Sequence, residues 1–158
     1  MLRVLDSVGC EGAVVESDPW VPMKVTWLPR PAGKPVYLRI SGVDGGEVEL
    51  KIDPLTGMLV QAIVIELPPE VEAGYEVPIG GGTPAQSPVV DRSPQGRPDA
   101  ADLDESVVRT VEKLAFFQTA DRIGLVFGDQ EPARHVQCDD VTVAISSHGD
   151  LTAIVGAL

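Results

Sequence analysis

Val48-Glu49-Leu50-Lys51-Ile52, the turn Asp53-Pro54-Leu55-Thr56-Gly57 and the run Met58-Leu59-Val60-Gln61-Ala62-Ile63-Val64 decide the fold class. Val48, Leu50 and Ile52 alternate with charged residues. That is the period of a strand with one face in a core and the other in water. The connection ends in Gly57, which suits the positive-φ position that closes a short hairpin loop. Val141-Thr142-Val143-Ala144-Ile145, the turn Ser146-Ser147-His148-Gly149 and the apolar run ending at Val155 read the same way.

Working outward, two further blocks repeat. Lys24-Val25-Thr26-Trp27-Leu28 parallels Lys113-Leu114-Ala115-Phe116-Phe117, and Val36-Tyr37-Leu38-Arg39-Ile40 parallels Ile123-Gly124-Leu125-Val126-Phe127. Four blocks in the same order suggest an internal duplication of a four-stranded antiparallel meander. A further strand near Gly12–Glu16 precedes the first block. The two units span 1–66 and 102–158. Neither is large enough for an ample core alone, so they are expected to share one. The fold class is therefore mostly β, an antiparallel sandwich or open barrel, with α+β as the alternative.

Between them, residues 67–101 hold seven of the 14 prolines and the run Gly80-Gly81-Gly82. Proline removes a ladder donor and fixes φ, so the stretch reads as a linker or long loop without elements. One segment reads as a short helix: residues 103–112 begin acidic, and Leu103, Val107, Val111, Leu114 and Ala115 share a helical stripe.

Composition agrees with a β reading. Valine is the commonest aliphatic, with 23 residues against 13 Leu and 8 Ile, and β-branched side chains favour a pleated surface. The chain of 158 residues carries 24 acids and 12 bases, a formal charge of −12. So few bases argue against nucleic acid as a partner. No apolar run reaches the roughly 18 residues of a membrane helix, and no membrane partner is expected. With 44% apolar residues the chain is no disordered acidic tail. Ser7-Val8-Gly9-Cys10 has the residue types of a lipoprotein cleavage site. Asp6 interrupts the few residues before it and no apolar stretch precedes it, so the N-terminus reads as mature. Cys10 and Cys138 read as reduced thiols, and the compartment as the cytoplasm.

Motifs of chemistry are few. Gly80-Gly81-Gly82 follows no strand and lacks the Lys-Ser/Thr pair of a phosphate loop. Asp53-Pro54-Leu55-Thr56-Gly57 superficially matches a phosphorylated-aspartate signature, but its Pro and Gly sit where a hairpin needs them. His135, Cys138, His148 and Cys10 supply zinc-type atoms without the paired knuckles of a zinc site, so neither metal nor cofactor is expected. Cys138 with His135 could be a nucleophile and base. The adjacent Asp139 and Asp140 oppose thiolate formation, and no catalytic residue is assigned.

What remains is charge placement. The loops 41–47 and 128–140 fall at one end of the expected meanders. They carry Asp44, Glu47, Asp129, Glu131, Asp139 and Asp140 against Arg134. These six are the candidate partner-binding residues, for a basic protein approached by complementary potential. In size, charge and poverty of motifs the chain resembles the small acidic immunity proteins that neutralise bacterial toxins. That resemblance implies a compact non-catalytic binder of a basic partner, and no residue signature accompanies it. Two other readings are a structural protein, monomer or homodimer, that pairs through edge strands, and a small enzyme or metalloprotein.

Overall fold

A computed structural model describes residues 1–31, 33–72, 77–78, 84–91 and 107–158. Among these residues thirteen strands follow one another: β1 (Val4–Gly9), β2 (Gly12–Glu16), β3 (Lys24–Leu28), β4 (Val36–Gly42), β5 (Glu47–Ile52), β6 (Leu59–Glu66), β7 (Gln86–Val90), β8 (Val107–Glu112), β9 (Leu114–Gln118), β10 (Arg122–Phe127), β11 (Pro132–Cys138), β12 (Val141–Ser146) and β13 (Leu151–Ala157). Among the described residues there is no helix. The strands form a six-stranded sheet ordered β2-β3-β6-β5-β4-β8, a five-stranded sheet ordered β11-β12-β13-β10-β9, and a two-stranded ribbon β1-β7. No sheet closes into a barrel, and the mostly-β antiparallel sandwich expected from the sequence is the observed class.

The two large sheets share one core. Val25, Trp27, Ile40, Val48, Leu50 and Ile52 from the six-stranded sheet pack in one cluster with Phe116, Ile123, Leu125, Val143, Ile145 and Ile154 from the five-stranded sheet. The alternation of β5 is realised directly: Val48, Leu50 and Ile52 are buried, while Glu47, Glu49 and Lys51 are half-buried on the other face. Both hairpin turns close as their glycines require, with φ of 78° at Gly57 and 86° at Gly149.

The pairing order differs from a meander. Only the hairpins β5–β6 and β12–β13 recur in both units. In the first unit β3 joins the far side of β6; in the second, β10 joins β13 and carries β9 beside it. Similar apolar blocks are thus wired differently. Alternation specifies which face is buried but not which strand is the neighbour.

Three segments correct the sequence reading. The expected helix at 103–112 is the strand β8 over its described part, Val107–Glu112, paired parallel to β4; Leu103 lies outside the described residues. Val108 and Glu112 are buried while Val111 is 65% exposed, so period two wins over the helical stripe. β-branched Val107, Val108, Thr110 and Val111 favour that outcome. The stretch 67–101 is not free of elements, because Gln86–Val90 forms β7. Pro88 is tolerated there because β7 has a single ladder partner, β1. Finally, 128–140 is not one loop: Pro132–Cys138 forms β11, an edge strand whose outward Arg134 and His135 broke the expected apolar pattern.

The five-stranded sheet is covered on its second face as well. Phe117, Val126, Ala144, Ala153 and Val155 form a separate buried cluster with Val77. Thr142 Oγ1 and Gln137 Nε2 donate to the Pro78 carbonyl, and Arg122 donates to the Val77 carbonyl at 2.9 Å. Part of the Pro-rich stretch is therefore a cover for that sheet. Gly124 makes room for the Phe117 ring on that face: a Cβ there would lie 2.2 Å from it.

Candidate functional site

Cys10, just before β2, and Cys138, the last residue of β11, are joined by a disulfide. This corrects the reading of two reduced thiols. A crosslink over a sequence separation of 128 ties the start of one large sheet to the edge of the other. It also removes both sulfurs from the zinc set and the free thiol from the imagined Cys138–His135 pair. His135 is exposed on β11 and His148 is exposed in the β12–β13 turn.

Directly after Cys138 the chain makes a two-residue turn into β12. Asp139 takes φ of 48°, the left-handed region that Asp tolerates better than most side chains. Its Oδ2 accepts the Ala13 amide at 2.9 Å. The turn is therefore held twice, by the disulfide and by a carboxylate on a backbone donor. Asp140 follows and is exposed, and its carbonyl accepts the Ala157 amide at 2.9 Å. The Asp121 carbonyl accepts the Leu158 amide at 2.9 Å, so Asp121 and Asp140 flank the end of β13. Two interstrand spacings separate them, roughly 10 Å. Glu11, exposed, stands next to Cys10. Among the described residues no ion pair reaches Glu11, Asp121, Asp139 or Asp140.

The six expected residues do not form one patch. β11 runs between them, and its seven residues extend roughly 20 Å. Asp139 and Asp140 lie at the end of the five-stranded sheet shared with Arg122 and Ala157. Asp129 and Glu131 lie beyond Phe127, at the opposite end. Asp44 belongs with Asp129: Lys113 bonds Asp129 at 2.6 Å, and this bond, with the attraction of Asp129 and then of Asp44, raises the lysine pKa. Glu47 faces Arg39, which also holds Glu49 at 2.6 Å; hydrogen bonds to Glu47 and then Glu49 raise the guanidinium pKa. Asp129 and Glu47 are thus locally neutralised, whereas Asp139 and Asp140 are presented to solvent from a pinned turn.

Sequence reasoning missed Glu11 and Asp121 as companions of Asp140. The disulfide and the β10–β13 pairing bring them there, and neither is visible in spacing. It also missed that basic side chains concentrate on the outer face of the six-stranded sheet. Two adjoining hollows there, of about 690 and about 330 Å³, are lined by Lys24, Arg30, Lys51, Lys34, Arg39 and Arg109. The sequence matches no protein-family model, and no curated protein matches it.

Proposed function

We propose that the protein is a non-catalytic binding module that takes a basic protein partner at the end of the five-stranded sheet around Asp139 and Asp140. One observation carries this reading. The acidic turn is fixed before any partner arrives, by the Cys10–Cys138 bridge and the Asp139–Ala13 hydrogen bond. A preorganised charged surface loses little conformational freedom on binding, and complementary potential speeds encounter. Glu11 and Asp121 extend the same negative field, and Arg122 turns its guanidinium to the Val77 carbonyl. The immunity-like resemblance points the same way, toward neutralising a basic protein.

The disulfide also bears on compartment. No helix among the described residues is long and apolar enough to cross a membrane. Disulfides persist in oxidising surroundings and are rare in the cytosol. The bridge therefore favours an oxidising compartment over the cytoplasm expected from the cysteine count.

The test is titration of a small folded basic protein, pI above 9, into the intact protein and into Glu11→Lys/Asp140→Lys. Asp139 is left in place because it holds Ala13. The reading expects binding that weakens at least about tenfold in the double variant and falls with added salt. Equal affinity for both proteins, or no binding at low ionic strength, ends the reading. A Glu131→Lys/Asp44→Lys variant at the opposite end is expected to bind as the parent does.

A further inference from the structure

The outer face of the six-stranded sheet carries a row of side chains in direct cross-strand register. Val14 on β2 is opposite Thr26 on β3, and Thr26 is opposite Gln61 on β6. Gln61 is opposite Lys51 on β5, Lys51 is opposite Tyr37 on β4, and Tyr37 is opposite Val107 on β8. All six line one or other of the two adjoining hollows. The row crosses every strand of the sheet, a span of about 24 Å at the usual interstrand spacing. Its members are mutually ordered: Gln61 Nε2 donates to Thr26 Oγ1 at 3.2 Å, and the Lys51 ammonium lies 5.7 Å from the Tyr37 ring centroid. The β3–β4 loop lines the hollows with Arg30, Pro31, Gly33 and Lys34.

The charge of this groove is opposite to that of the chain. Among the described residues its lining holds six bases and two acids, Glu16 and Glu49. Counting Glu47, which is paired to Arg39, the described residues give this face a local excess of three positive charges on a protein of net charge −12. Glu16 meets Lys24 at 3.5 Å, and Glu47 and Glu49 both meet Arg39, while among the described residues no ion pair reaches Lys51 or Arg109.

We propose that this groove binds a linear carboxylated polysaccharide, a chain of uronic acid units laid across the strands. Ammonium and guanidinium groups meet its carboxylates, with Arg able to take them bidentately. Between them Thr26, Gln61 and Tyr37 offer the donors and acceptors that sugar hydroxyls require. Two other polyanions fit less well. An extended acidic polypeptide adds amide pairing to charge only at a sheet edge, and this floor is the middle of a sheet whose backbone is already paired, so it would be held by its side chains alone. A single-stranded nucleic acid stacks its bases on aromatic platforms, and Tyr37 is the one aromatic in the row. The positive field is local, because screening confines it to about 8 Å at physiological salt. The repulsion of the distant acidic end is therefore weak at the groove.

The experiment is calorimetric titration of the full chain with a six-unit uronate oligosaccharide. The controls are the neutral oligosaccharide of the same length and a polyglutamate of equal charge. Saturable binding of the uronate with a Kd below 1 mM, absent for the neutral oligomer and at least about tenfold weaker for polyglutamate, is expected from paired hydrogen bonding and charge. Lys51→Glu should lower the affinity about tenfold or more, and Lys51→Met, which keeps the stem, should lower it as well. Gln61→Ala should cost several-fold, and Arg134→Glu on the other sheet should leave it unchanged. The inference is overturned by any of three results: no uronate binding at millimolar concentration, equal binding of polyglutamate, or equal sensitivity to Arg134→Glu and Lys51→Glu. Glu11→Lys/Asp140→Lys leaves this binding intact, so failure here and failure at the acidic end are separate results.

Discussion

The two large sheets share a core but meet their surroundings differently. β12 and β13 of the five-stranded sheet are buried at nearly every position, on both faces. β5 of the six-stranded sheet alternates strictly, one face in the core and the other lined by Glu47, Glu49 and Lys51. The sequences say why. Val141-Thr142-Val143-Ala144-Ile145-Ser146 places only small or hydroxylated side chains on its second face, where a cover can approach closely. Val48-Glu49-Leu50-Lys51-Ile52 places charges there, and charges keep their water. One sheet is thus buried through its whole thickness, and the other, among the described residues, keeps a polar outer face.

The strongest way to break this comparison is to truncate matched outward positions. Phe117 lies in the second cluster of the five-stranded sheet, over Gly124. Phe117→Ala is expected to lower unfolding stability by about 3–5 kcal/mol, the cost of emptying an aromatic site in a packed core. Gln61→Ala, outward on the six-stranded sheet, is expected to change it by no more than about 0.5 kcal/mol. Urea melts decide. Similar losses at both sites would mean the two outer faces are equally packed.

The next effect in size concerns the link between the sheets. Removing the Cys10–Cys138 bridge by reductant, or by Cys10→Ser/Cys138→Ser, is expected to cost roughly 2–4 kcal/mol, because a long loop regains freedom in the unfolded chain. Thiol titration of the folded protein should find no reactive sulfhydryl before reduction. Two free thiols and an unmoved midpoint would remove both the staple and the argument from compartment.

The fold class was legible at the level of faces. The alternation at Val48–Ile52 and the glycines at 57 and 149 led to strands and turns in the right places, because burial and positive φ are local demands. Neighbour relations were not legible. Nothing in Lys24–Leu28 says that it pairs with β6 and not with β4, since ladder hydrogen bonds are made by backbone common to all residues. The candidate sites depend on those relations. Asp140 meets the neighbourhood of Glu11 through the disulfide between residues 10 and 138 and the Asp139–Ala13 hydrogen bond, and the row from Val14 to Val107 exists only once five pairings are in register. The polar edge strand β11 was hidden for another reason: only Val136 and Cys138 face inward fully, too few to make a pattern.

The smallest effect sits where the chain passes from one sheet to the other. Lys113 is the single residue between β8 and β9, and its ammonium bonds Asp129 at 2.6 Å. The hydrogen bond that Lys113 donates to Asp129, then the charge of Asp129, with a contribution from Asp44, raises the lysine pKa above its usual 10.5. A cation whose pKa is raised by folding contributes stability that is fully present below the unfolded value, and loses it as pH rises through the folded value. Wild type and Lys113→Met should therefore differ slightly in urea midpoint at pH 9, and converge as the pH passes above 10.5. The pair is solvent-exposed, so the difference is small and should shrink further in high salt. Arg39 stays charged through this range, so its bonds to Glu47 and Glu49 do not contribute to the convergence. A difference that persists unchanged to the highest pH would show that the Lys113 stem, packed at the crossing, matters and its charge does not. The crossing would then belong with the five-stranded sheet, held by packing, and not with the polar outer face of the six-stranded sheet, where charges keep their water.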